Sequence, residues 1–174
     1  MKISVKKAAD KFKLPVDCVL YYAKEELQIQ EMTEDSLLNE YALASIKKQL
    51  LEAAEWRKTL YFLVEKGIET KVLDASFQKR NSKLILQWGK VLALRFGYGV
   101  PRHALKAIGN IFGVSKERVR QAEREILKYL KHPKIVKELK EQFDYGAYTP
   151  KIEANSWSVA LINFANNNEE NKNV

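Results

Sequence analysis

Between Leu105 and Leu130 three residues stand at intervals that leave the backbone little freedom: Gly109, Gly113 and Val119, spaced by four and then six. Two helices that cross closely need a small residue in the first, where the second packs over it. They also need a residue that tolerates positive φ in the turn, and an apolar residue inside the second helix. Ser115 is well suited to cap that second helix. The stretch then sorts into two faces: Val119, Ala122, Ile126, Leu127 and Leu130 form an apolar side, while Lys116, Glu117, Arg120, Gln121, Arg124 and Lys128 share the other. A helix-turn-helix is predicted for this window.

Charge points the same way. The chain carries 30 Lys and Arg against 22 Asp and Glu, a net of +8. The segment Lys90–Lys140 holds 13 of the basic residues and 4 of the acidic ones, so the remainder of the chain is close to neutral. A concentrated basic field attracts polyanions. On the exposed helix face Arg120 suits guanine, Gln121 adenine, and Glu117 accepts from cytosine. Arg118, with Lys116 and Lys128, suits phosphates and sets the register, and Ser115 at the helix start is a further DNA-binding candidate. Double-stranded DNA is therefore the expected partner. The alternative is a solvated amphipathic helix, with Glu117 pairing with Arg120 or Gln121 across one turn.

The rest of the chain reads as helical, and the fold class is all-α. Residues 1–66 form an N-terminal helical region. Val5, Ala8, Ala9 and Phe12 fall at helical spacing, and Pro15 opens a second helix carrying Val16, Val19, Leu20 and Ala23. Thr33 is expected to cap a long helix, or two joined ones, reaching Lys66, with Gly67 as C-cap. Residues 67–81 read as a linker or short helix. Residues 82–145 form the domain that contains the helix-turn-helix, opened by a Ser82 cap and interrupted at Gly97-Tyr98-Gly99-Val100-Pro101. Residues 146–174 read as a tail, mostly disordered after 165, in which Trp157, Val159, Leu161, Ile162 and Phe164 are able to dock a last short segment. The aromatic groups Tyr21-Tyr22 and Trp56-Arg57 with Tyr61-Phe62 read as core.

Arg95-Phe96-Gly97, Ile108-Gly109, the run Val114-Ser115-Lys116-Glu117-Arg118-Val119-Arg120-Gln121, and Leu130-Lys131-His132-Pro133 resemble region 4 of the primary-type bacterial sigma factors. The resemblance covers about Ser82 to Phe143. It implies a helical domain whose last helix recognises a −35-type promoter element and which also touches core RNA polymerase. By position it makes Glu117, Arg120 and Gln121 the base readers and Lys116, Arg118 and Arg124 phosphate or auxiliary contacts. Leu92, Leu94 and Phe96 become either core or polymerase-facing. The Tyr98–Ala104 connection is slightly short for the family, and Ala122 stands where a larger aliphatic residue is usual. No counterpart of the sigma region that melts the −10 element is found. The first helices also resemble the leading helix-turn-helix of MerR-type regulators: Ala9, Lys13 and Val19 repeat the four-then-six spacing, with Lys13 where Gly is preferred. Asp17, Glu25 and Glu26 make that second helix a poor surface for phosphates, and packing or protein binding is expected of it.

An enzyme is not expected, because the chain has no Gly-rich phosphate loop and no nucleophile–base pair. Cys18 is the one cysteine, and His103 and His132 lack ligand spacing, so no metal or other cofactor is implied. No apolar run approaches a membrane span, and no signal peptide opens the sequence, so a cytoplasmic protein is the expectation. Three readings stay open. One is a sigma-like factor working with polymerase. Another is a free-standing operator-binding regulator, with the 33–66 helices as a dimer seam. The third is a sigma mimic that occupies polymerase.

Overall fold

A computed structural model of the chain describes residues 1–170. It is helical apart from one short antiparallel pair, and it divides into two compact units. The first joins Met1–Lys58 to the segment from Asn155 onward; the second is Thr59–Ala154. The division thus falls inside a helix rather than in the expected 67–81 linker.

In the first unit β1 (Ile3–Ser4) leads into α1 (Val5–Phe12), capped by the Ser4 Oγ, which accepts from the Lys7 N–H at 3.2 Å. Lys13 ends α1 at φ 55°, a left-handed position that costs a non-glycine residue about 1–2 kcal/mol. The chain accepts that strain because Pro15 then opens α2 (Val16–Leu27), and the turn buries Val5, Ala8, Ala9 and Phe12 together with Cys18, Val19 and Ala23. Burial pushes the Cys18 thiol up to about 11, so it is an apolar filler and not a reactive thiolate.

Thr33 does not cap the long helix. Residues Thr33–Ser36 close a turn, and Leu37–Leu38 form β2, with Leu38 opposite Ile3 and Leu37 opposite Ser4. The helix, α3 (Glu40–Thr70), begins seven residues later than Thr33, where the Asn39 Oδ1 accepts from the Ala42 N–H at 2.8 Å. Ala42, Ile46, Leu50 and Ala54 recur every fourth residue and are buried against α1 and α2. The expected tail is helical as well. α10 (Ser156–Glu170) places Leu161, Phe164 and Ala165 in the same core. Lys58, fully buried, donates to the Asn166 Oδ1 at 2.9 Å and lies 3.8 Å from the Glu169 carboxylate. These two contacts tie helix α10 down past Ala165, and removing either acceptor leaves the buried ammonium less well compensated. The part of the disorder expectation beyond Glu170 lies outside the described residues.

In the second unit α3 runs past Gly67, which is interior rather than a C-cap: a Cβ there would stand 2.7 Å from the Leu130 Cδ2. α4 (Asp74–Phe77), α5 (Lys83–Leu86) and α6 (Trp88–Phe96) follow. Ser82 caps α5 as expected, and a break at Gln87 separates α5 from α6. The Trp88 indole donates to Asp74 at 2.9 Å. α7 (Leu105–Phe112), α8 (Lys116–Leu130) and α9 (Pro133–Gln142) complete the unit. The buried Glu65 closes it: its Oε1 accepts from the backbone N–H groups of Lys151 and Ile152, fastening the 148–153 segment onto α3. Tyr98 likewise donates to Glu69 at 2.6 Å, fixing the loop that precedes α7.

Burial raises the Glu65 carboxyl above its ordinary 4.5, against the lowering effect of the two N–H groups. A raised carboxyl favours the fold below its unfolded pKa, and that contribution is lost as pH climbs through the folded value. Relative to Glu65→Gln, the wild-type protein should therefore lose stability as pH rises from about 4.5 toward neutrality. Glu65→Ala, which strands two N–H groups, should cost about 1–3 kcal/mol throughout. Urea unfolding of the three proteins across that range checks both, and a wild-type advantage that grows with pH would contradict the assignment.

Candidate nucleic-acid interface

The turn between α7 and α8 is built as the glycine spacing predicts. Gly113 sits at φ 69°, and its N–H and that of Val114 both turn back to the Gly109 carbonyl. Gly109 is fully enclosed: a Cβ would meet the Val114 carbonyl oxygen at 2.6 Å, a backbone atom that has no rotamer to escape into. The Ser115 Oγ accepts from the Arg118 N–H at 3.2 Å and starts α8. Val119, Ala122, Ile126 and Leu130 are buried along one side of α8. They pack with Ile108 and Phe112 of α7 and with Val91, Leu92 and Leu94 of α6.

Two ion pairs hold the flanks of this seam. Arg95 of α6 donates to Glu123 at 3.1 Å, and Arg80 reaches Glu125 at 3.1 Å and the Tyr129 hydroxyl at 2.8 Å. In the sequence Arg95 stands out only as part of a motif and Arg80 not as a site residue; the pairing signal is faint, since each lies far along the chain from its acid. Their effect is to commit two of the three acidic residues of α8 to partners within the unit.

What remains outward is the row assigned from sequence. Lys116, Glu117, Arg118, Gln121, Arg124 and Lys128 are exposed, and Arg120 is half-buried. Four of these form one network. Arg120 grips Glu117 through two hydrogen bonds, of 2.8 and 2.5 Å; Gln121 donates to Glu117 at 3.5 Å; Arg118 donates to the Gln121 carbonyl oxygen at 3.4 Å. The Arg120 guanidinium holds the Glu117 carboxyl below its ordinary range, so the pair persists into mildly acid solution. Arg102 and Lys106, exposed at the start of α7, add cations that the sequence reading left unassigned. They are legible as part of the basic stretch that begins at Lys90, and in a helix-turn-helix the first helix crosses the sugar-phosphate backbone.

The polymerase-facing assignment changes. Leu92 is fully buried and Leu94 nearly so, within the core behind α8, and neither can meet a partner without opening that core. Phe96 is half-buried against Tyr61, with ring centroids 6.4 Å apart. The aromatic groups read as core also divide: Phe62 is buried, whereas Tyr21 and Trp56 are 50% and 59% exposed.

The arrangement defines a helix-turn-helix with a basic, hydrogen-bonding recognition face. Residues 89–132 match the family described as Sigma-70, region 4, the same segment to which the resemblance pointed. It is similar to the RNA polymerase sigma factor SigA of Listeria monocytogenes (serovar 1/2a, strain ATCC BAA-679 / EGD-e) and of Listeria innocua (serovar 6a, strain ATCC BAA-680 / CLIP 11262). In each case 46% of residues are identical over 52, which is 29% of this chain and 14% of the relative. The likeness therefore spans about one seventh of those sigma factors. No solved structure matches the chain significantly. Among the described residues no helix is long and apolar enough to cross a membrane.

The two glycines should respond differently to a methyl group. Gly113→Ala meets open space and pays only for positive φ, about 1–2 kcal/mol. Gly109→Ala forces the α7–α8 crossing apart and should destabilise more than Gly113→Ala does. Denaturant melts of both variants test the order, and an equal or reversed ranking would show the crossing to be looser than described.

Proposed function

We propose that this protein is a sequence-specific double-stranded DNA-binding transcription factor. It recognises a −35-type promoter element through α8 in association with core RNA polymerase. The observation that carries this reading is the exposed Glu117–Arg118–Arg120–Gln121 network at the start of a recognition helix in a segment that matches sigma region 4. Arg120 and Gln121, with Glu117, meet base edges in the major groove. Ser115, Lys116, Arg118, Arg124 and Lys128 meet phosphates, joined by Arg102 and Lys106 from the start of α7. In free protein Glu117 keeps Arg120 in one pose. On DNA the carboxylate either buttresses that pose or yields Arg120 to a guanine and itself accepts from a cytosine, at small cost because the pair is exposed.

A free-standing operator-binding regulator is the second reading. It is favoured by the small share of the sigma relatives that the likeness spans. The buried positions of α3 are occupied within each unit, which leaves its exposed side, including Tyr41, as the part available to a homodimer seam. Sigma mimicry is the weaker third reading, because occupying polymerase needs no base-reading set.

Arg120→Ala or Gln121→Ala should weaken binding to the preferred duplex by about 1–3 kcal/mol and relax its sequence. Arg118→Ala should weaken all duplexes alike and reduce the salt dependence by about one counterion. Titrations on preferred and scrambled duplexes at several salt concentrations check this; an equal loss on both duplexes for Arg120→Ala would remove it from the base-reading set. A pull-down from nuclease-treated lysate separates the first two readings. Recovery of core polymerase supports the sigma-like one, and DNA binding without core supports the regulator.

A further inference from the structure

The first unit carries an aromatic surface that the DNA-binding face does not use. Tyr21 packs edge-on against Tyr22 at 5.2 Å and lies 5.8 Å from Trp157, while half of Tyr21 remains open to solvent. Arg57 donates to the Tyr22 hydroxyl at 3.5 Å and sits 5.9 Å from the centre of the exposed Trp56 ring. Three helices, α2, α3 and α10, thus contribute to one row, in which Trp157, Tyr21 and Tyr22 are in ring contact and Arg57 bridges to Trp56. The row is braced from beneath: the Trp157 indole donates to Asp17 at 2.9 Å, and Arg57 also bonds the Ala53 carbonyl at 3.1 Å. Trp, Tyr and Arg on a pre-ordered surface are the residue types that dominate protein interfaces.

Charge decides what such a row can hold. Asp17, Tyr21 and Glu25 follow one another every fourth residue along α2 and are all exposed, so an aromatic ring stands between two carboxylates. Glu52 is exposed one turn before Trp56. Stacked bases would suit the rings, but their phosphates would lie among these carboxylates, which opposes a nucleic-acid strand. An ammonium or guanidinium gains on both counts, from the ring face and from the flanking acids, while its aliphatic stem covers the exposed ring. We propose that this surface docks a lysine- or arginine-bearing segment of a partner protein, with Tyr21 and Trp157 as the aromatic anchors and Asp17 and Glu25 as the charge partners. The site lies in the unit that does not contain α8.

The test places the photo-crosslinking residue p-benzoylphenylalanine at position Trp56 of the full chain, in the row but leaving both anchors intact, with the protein expressed in its native host. A control carries it at Tyr41, which is 82% exposed and outside the row. Irradiation followed by mass spectrometry of the adducts should identify a discrete protein segment with an excess of Lys and Arg, absent from the Tyr41 control. Adding Asp17→Asn and Glu25→Gln should lower the yield by about fivefold. Glu25→Gln alone, which leaves the Asp17–Trp157 bond in place, should lower it to a lesser degree. Circular dichroism confirms that the variants are folded. Adducts only with nucleic acid, only with a second copy of the chain, with an acidic or neutral segment, matching those from Tyr41, or no adduct at all would overturn the proposal.

Discussion

The contact on which the second unit depends is the crossing of α7 and α8 at Gly109. With no Cβ on Gly109, the Val114 carbonyl comes close enough that the turn can close and α8 can leave at a fixed angle. From there four buried side chains, Val119, Ala122, Ile126 and Leu130, settle the rotation of α8. Each of the larger three contributes about 1.5–3 kcal/mol on burial. The Arg95–Glu123 and Arg80–Glu125 pairs are partly exposed and add about 1 kcal/mol or less apiece. The apolar seam therefore determines which way the helix faces, and the ion pairs refine it. Everything presented on the outer side of α8 follows from that rotation.

The same pairs shape the electrostatics. Five basic residues of α8 point outward, while two of its three acids are engaged by Arg80 and Arg95. The remaining acid, Glu117, is held by Arg120. A helix whose sequence mixes both signs thus presents a cationic face with one organised carboxylate in it. The other unit is organised differently: on α2 the exposed ring of Tyr21 stands between Asp17 and Glu25, with Lys24 on the same helix.

Much of this was legible from the residues, wherever a backbone requirement left a mark in a single side chain. Gly109, Gly113 and Ser115 each occupy a position with few acceptable substitutes, and the second helix-turn-helix falls where they place it. Lys13 shows the limit of that logic, since the first turn forms with a left-handed lysine because burial on both sides outweighs the strain. The start of α3 was misplaced because Thr33 and Asn39 are both good caps. What chose Asn39 was the pairing of Leu37–Leu38 with Ile3–Ser4, a contact remote in sequence. Docking of the last segment was legible in its apolar residues, but the extent of the helix past Ala165 was hidden for a similar reason. Its polar residues discourage a packed element, until Lys58 supplies a buried partner for Asn166 and Glu169. Burial of Leu92 and Leu94, and exposure of Tyr21 and Trp56, depend on which neighbours arrive, and helical spacing alone does not specify them.

The central claim is that α8 reads duplex DNA in a sequence-dependent way. Repeated selection from a pool of randomised duplexes by the full chain, with and without core RNA polymerase, addresses it most directly. Convergence on one short motif, occupying a single major-groove face, is expected in at least one of the two conditions. Retention of the pool without enrichment, or retention that vanishes uniformly as salt is raised to physiological strength, would contradict it. Such an outcome would reduce the basic face of α8 to a non-specific polyanion surface.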